Sequence, residues 1–200
     1  MDSDGYLSQL ADIFNGITVN TPSISAIIAI ALAGVLLLAS GFASASEIAF
    51  FSLSPSDRND IDERNHPSDD KISALLGDTE RLLATILITN NFVNVTIIML
   101  CNFFFMNVFV FHSPLAEFLI LTVILTFLLL LFGEIMPKIY SAQKTLAFCR
   151  FSAPGIYFLE KVFRPIATVL VRSTTFLNKH FAKKSHNISV DELSHALELT

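Results

Sequence analysis

Residues 24–50 read ISAIIAIALAGVLLLASGFASASEIAF, and the first charge in that stretch is Glu47. The uncharged interval is longer still, because 34 residues separate Asp12 from Glu47 without an Asp, Glu, Lys or Arg. A helix crosses a bilayer with about 20 apolar residues. Two more uncharged intervals follow, 35 residues between Arg81 and Glu117 and 16 between Glu117 and Glu134. Three spans fit, from about Ile24 to Phe50, Leu82 to Phe109 and Pro114 to Phe132, with Pro137 expected to close the third.

The whole chain agrees with this reading. Of its 200 residues 52% are hydrophobic and only 16% charged, it holds 19 Phe and no Trp, and its mean hydropathy is +0.60. A soluble domain carries about a quarter charged residues. The expectation is an all-α integral membrane protein. A net charge of −5, with no basic patch interleaved with aromatics, argues against a nucleic-acid partner. Cys101 and Cys149 alone make neither a disulfide framework nor a zinc site. The first apolar run lacks preceding Lys or Arg and is too long for a cleavable signal core.

All thirteen Lys and Arg follow residue 57. Four lie between the first two spans (Arg58, Arg64, Lys71, Arg81) and nine follow the third, beginning at Lys138. The positive-inside rule therefore puts the N-terminus outside and the C-terminus in the cytoplasm of a multi-pass protein of the cell's inner (plasma) membrane. This divides the chain into an extracytoplasmic tail (1–22), a three-span domain (23–148), juxtamembrane helices (149–185) and the start of a truncated cytoplasmic region (186–200). The segment from Ser54 to Glu80 carries eight acidic residues; it reads as a solvated loop with helix-start chemistry, with an acidic, metal-attracting vestibule as the alternative. After Arg150, apolar and basic residues alternate as in amphipathic helices at the cytoplasmic membrane surface, interrupted at Pro154 and Pro165. Ser189-x-x-Glu192 reads as a capping box that starts a new helix.

Polar groups at membrane depth are expensive, so each needs a reason. Ser40, Ser44 and Glu47 share one face of the first span, and Asn90 and Asn94 share one face of the second. At the end of the third, Pro137 has no N–H for the carbonyl four residues back, that of Gly133, beside Glu134. Hydroxyls, amide oxygens, a free carbonyl and one carboxylate form a hard-oxygen set suited to Mg²⁺, Ca²⁺ or Na⁺ and poor for Zn²⁺. Plainer roles stand beside this one. Ser40 and Ser44 can join helices, and Asn102 and Asn107 can do the same or sit at the outer interface. Glu134 can pair with Lys138 four residues on, and Glu47 with another basic partner.

Three stretches carry a resemblance. Ser40-Gly41-Phe42-Ala43-Ser44-Ala45-Ser46-Glu47, then Leu83-Ala84-Thr85-Ile86-Leu87-Ile88-Thr89-Asn90-Asn91-Phe92-Val93-Asn94, then Gly133-Glu134-Ile135-Met136-Pro137-Lys138 resemble, in order and spacing, the transmembrane domain of the CNNM/CorC magnesium transporters. The overall look is similar to the gliding-motility-associated bacterial branch. The resemblance implies a homodimer with three spans and a juxtamembrane helix per subunit, exporting Mg²⁺ coupled to Na⁺ entry. It implies Mg²⁺ ligands at Ser40, Ser44, Asn90, Asn94, Gly133 and Glu134, and a cytoplasmic CBS-type module as partner. Thr89 departs from the pattern, which has Gly there; its bulk can narrow the helix contact or its hydroxyl add a ligand. Two other classes remain open: an ion sensor that does not transport, and a membrane anchor of an envelope or motility complex. An enzyme is not expected, since no His-Glu-x-x-His and no Ser/His pair lies at membrane depth.

Overall fold

The computed structural model describes residues 18–110 and 114–198, as backbone alone at 114–116 and beyond 173. Most of the expected tail (1–17) and the turn at 111–113 lie outside the described residues. The first span, α1, runs Ile24–Phe51. Two short helices follow, α2 (Pro55–Asp62) and α3 (Asp69–Leu76). The second span is α4, Thr79–Val108. The third combines α5 (Pro114–Leu128), a π-helical segment (Leu129–Ile135) and α6 (Met136–Gln143). A long helix, α7, covers Thr145–Glu198. Three helices are long and apolar enough to cross a membrane: Ile24–Phe51, Thr79–Val108 and Glu117–Gln143.

Local chemistry starts these helices where they start. Ser23 caps α1 by accepting from the Ala26 N–H at 3.2 Å, and Asp78 caps α4 by accepting from the Arg81 N–H at 3.1 Å. Ser54 and Asp57 form a reciprocal capping box with Pro55 in the first turn of α2. The acidic stretch is therefore folded into α2 and α3 rather than looping through solvent, with Asp57 and Asp78 as caps and Asp60, Asp69 and Asp70 as ion-pair partners. Thr18–Val19 (β1) pairs antiparallel with Phe109–Val110 (β2). That pairing holds the entrance of α1 and the exit of α4 at the same end of the bundle.

Inside α1 the usual amphipathic logic is reversed. Until Phe50 its enclosed positions are small (Ala26, Ala29, Ala33, Ser40, Gly41, Ser44), while Ile27, Ile28, Leu32, Val35 and Leu38 face outward. Small residues let helix backbones approach closely where lipid removes any hydrophobic drive between them. Two apolar clusters result. One joins Ala33 to Val93, Ile97, Cys101 and Leu125. The other joins Ala49, Phe50 and Leu53 to Ile61, Ile72, Leu75, Leu82, Ile86, Cys149, Ala153 and Ile156. Ser40 on α1 and Asn90 on α4 fall between the two, and Asn94 follows Val93 at the edge of the first.

Three sequence expectations change. The third span does not close at Pro137 but continues to Gln143. Proline breaks an α-helix because it lacks a donor and its ring meets the carbonyl four residues back. Here the preceding turns widen, the Met136 N–H bonds to the Leu131 carbonyl five residues back, and Pro137 enters the first turn of α6 where no donor is needed. Nor do Pro154 and Pro165 divide the juxtamembrane region, since both lie within α7. Ala153, Ile156 and Ala167 are fully buried, so packing against the bundle, rather than a free surface position, holds this helix across its prolines. Finally, the backbone is helical on both sides of Ser189, so no helix begins there; the preceding turn already supplies the carbonyls that a cap would replace.

Candidate intramembrane cation site

The three motifs meet. Ser40 Oγ lies 2.8 Å from Asn90 Oδ1 and 2.7 Å from Asn94 Oδ1. Ser40 is fully buried, and both asparagines are half-buried. From the third span, Gly133 closes on the same point: a Cβ placed on it would stand 3.1 Å from Ser40 Oγ. Glycine is required there by this close approach. Ser44, one turn along α1, is fully buried, and its Oγ makes no hydrogen bond.

The proton count at Ser40 is informative. A hydroxyl has one hydrogen, yet two amide oxygens stand within hydrogen-bond distance of it. One contact is thus oxygen against oxygen with no proton between, and the Ser44 hydroxyl adds another oxygen without a partner. Buried polar atoms are nearly always satisfied. Such a surplus of neutral oxygens is what a hard cation of Mg²⁺ or Na⁺ type satisfies; turning one asparagine amide would satisfy it instead. The donor set fits a cation.

The third span brings Gly133, Glu134 and Pro137 close to the first. The Met136 N–H bonds five residues back to Leu131, and the next carbonyl in that register, opposite the missing Pro137 N–H, is that of Phe132. The Phe132 carbonyl oxygen would be 3.4 Å from a Cβ on Gly41, and the Pro137 ring 3.0 Å. Gly133 reaches the cluster because it has no side chain. Glu134 engages Lys138, whose Nζ is 3.2 Å from Glu134 Oε1 and 3.1 Å from Glu47 Oε2. The pairing foreseen for Glu134 is present, and the same ammonium is the basic partner of Glu47. Thr89 donates to the Thr85 carbonyl of its own helix at 2.8 Å. Its hydrogen is spent there, and its side chain is buried. Asn107 likewise bonds within its helix, to the Phe103 carbonyl at 2.9 Å.

The bundle is clamped to α7 by charge. Arg150 grips Asp69 with two bonds, 2.9 Å from Nε and 3.0 Å from a terminal nitrogen, and reaches Asp60 at 3.5 Å. The Asp69 side chain is fully buried. The Arg150 guanidinium holds its carboxyl below the usual value, against the opposing effect of burial, and the same hydrogen bond raises Arg150. Next to it, burial pushes the Cys149 thiol up to about 12. Phe42, two residues past Ser40, stacks against Phe148 and Phe151 with centroids 6.3 and 6.1 Å away. Sequence reasoning missed this clamp because Asp69 and Arg150 are 81 positions apart, with no periodicity linking them.

Comparison with known proteins gives a consistent picture. The profile described as the cyclin M transmembrane N-terminal domain matches residues 31–200. A UPF0053 protein of Synechocystis is 26% identical over 140 residues, 70% of this chain and 39% of the relative. A UPF0053 protein of Haemophilus influenzae is 29% identical over 136 residues, 68% of this chain and 31% of the relative. The matched region thus spans well under half of either relative.

Proposed function

This chain belongs to the CNNM transmembrane-domain family, and from that premise we propose that it binds Mg²⁺ within the bilayer and exports it, coupled to Na⁺ entry. The observation that carries the reading is the oxygen surplus about Ser40, where Asn90 and Asn94 crowd one hydroxyl and Ser44 stands unbonded. Ser40, Ser44, Asn90 and Asn94 supply neutral oxygens. Gly133 supplies backbone at the closest approach of the third span, and Glu134 supplies the charge on leaving Lys138. A site of neutral oxygens and one carboxylate holds a divalent ion loosely enough to release it.

In this reading the N-terminus faces outward and α7 lies on the cytoplasmic side of the inner membrane, an orientation supported by the Lys and Arg distribution. With α7 tied to α3 through Arg150 and Asp69, movement of a CBS-type cytoplasmic partner is passed to the spans. The homodimer of this reading would use the third span, the least enclosed of the three. A cleft of about 410 Å³ between α4 and α5 opens Asn102, Glu117, Thr122 and Thr126 to the outside of the subunit. Polar groups at membrane depth face protein rather than lipid.

The test is flux. The chain reconstituted in vesicles should move Mg²⁺ down a gradient, faster with an opposing Na⁺ gradient, and Asn94→Ala should abolish movement. Mg²⁺ binding without flux would instead assign a sensor, and neither binding nor flux an anchor.

A further inference from the structure

Lys138 is placed oddly for a residue that merely caps a membrane helix. Its Nζ is within 3.2 Å of two carboxylates that belong to different spans, Glu47 of α1 and Glu134 of the third. Glu47 arises from the face of α1 that carries Ser40 and Ser44. Glu47 is one turn past Ser44, and Glu134 directly follows Gly133. The group holds two negative charges and one positive, about a quarter to under half exposed on each side chain. It is therefore reachable from an aqueous vestibule yet drier than the surface, where charge interactions keep much of their strength.

We infer that Lys138 is a tethered competitor for the cation: its ammonium occupies Glu134 while the site is empty and yields it when a dication arrives. This rests on the proposed Mg²⁺ site and adds its regulation. Glu134 has two claimants, the ammonium on its own helix and a divalent ion at the Ser40 cluster. When the ion takes Glu134, Lys138 remains neutralised by Glu47, so no charge is left bare in the membrane. When the ion leaves, the ammonium returns, and the empty state is not trapped by an unpaired carboxylate. Affinity is lowered in both steps, which suits a carrier that has to release its cargo. Glu47 acts as the holding partner of Lys138 and touches no cargo.

The test is Mg²⁺ titration of the purified 200-residue chain in detergent by isothermal calorimetry, comparing the parent with Lys138→Gln, Lys138→Arg and the double variant Lys138→Gln/Glu134→Gln. Lys138→Gln should tighten Mg²⁺ binding at least about tenfold, because a competing cation and its repulsion are both removed. Lys138→Arg should stay within about twofold of the parent, since the guanidinium still bridges two carboxylates. The double variant should lose the gain. A parent that binds Mg²⁺ with a Lys138→Gln variant that binds equally or more weakly overturns the competitor role and leaves the site intact. A parent that binds no Mg²⁺ overturns both. If Lys138→Gln fails to fold, Glu47→Gln decides: it leaves Lys138 to Glu134 alone and should weaken binding, and unchanged binding overturns the inference.

Discussion

Ser40 of α1 and Asn94 of α4 meet through their oxygens at 2.7 Å, with Asn90 at almost the same distance on the other side. Two spans that share no charged contact at this level are thus joined at one buried hydroxyl, and the third span adds only the bare backbone of Gly133. The contact is interhelical glue and, in the proposed function, part of the ligand shell as well. Removing it separates the two roles. Ser40→Ala should cost the fold only about 1 kcal/mol or less, as for other interhelical hydrogen bonds in membranes, while abolishing any Mg²⁺-dependent rise in Tm.

Two glycines should respond in opposite ways. A methyl group on Gly34 meets nothing within 4 Å, so Gly34→Ala should leave Mg²⁺ binding unchanged and stabilise the helix by up to about 1 kcal/mol. A methyl group on Gly133 would press on Ser40 Oγ at 3.1 Å, so Gly133→Ala should weaken Mg²⁺ binding at least about tenfold and offset the helix gain with strain. Thermal unfolding with and without Mg²⁺ checks both.

The Asp69–Arg150 pair should dominate the acid response of the region beyond the spans. The folded-state value of Asp69 is depressed by Arg150, so its stabilisation is fully present above the unfolded carboxyl value near 3.8. It is lost as pH falls through the lower folded value. Tm should therefore drop on acidification below about pH 4, and Asp69→Asn should flatten that drop. At neutral pH Arg150→Gln should destabilise by about 3–5 kcal/mol, because it strands a buried carboxylate.

Cys149 should be chemically silent in the folded chain. It is 0% exposed, and its thiol is raised to about 12, while the thiolate is the reactive form. Maleimide at pH 8 should leave it unlabelled until α7 is detached from the bundle. Arg150→Gln should speed its labelling.

Much of the fold was legible because lipid imposes a severe composition rule. Uncharged intervals bounded by Asp12 and Glu47, and by Arg81 and Glu117, located α1 and α4 within a few residues. The end of the third span was not legible. Proline at 137 normally stops a helix, and only the π turn, which no propensity announces, carries the chain past it. The site was half legible. Four-residue spacing placed Ser40 with Ser44 and Asn90 with Asn94, but which helices touch depends on the small residues packed between them. Lys138 was within view as a partner of Glu134; its second bond, to Glu47, depends on the tertiary distance between two spans. Asp69 and Arg150 left no local sign, because an ion pair across 81 positions is a product of the packing of α3 on α7.

The most direct test of the cation site is thermal unfolding of the purified chain in detergent, titrated with Mg²⁺, Ca²⁺ and Na⁺, beside Asn94→Ala and Glu134→Gln. A ligand that binds only the folded state raises stability with the logarithm of its excess over Kd. An intramembrane Mg²⁺ site should give a Mg²⁺-dependent rise, larger than with Ca²⁺ or Na⁺, that both substitutions remove. No rise with any of the three ions, with both variants as stable as the parent, would contradict it and leave the oxygens about Ser40 as packing alone.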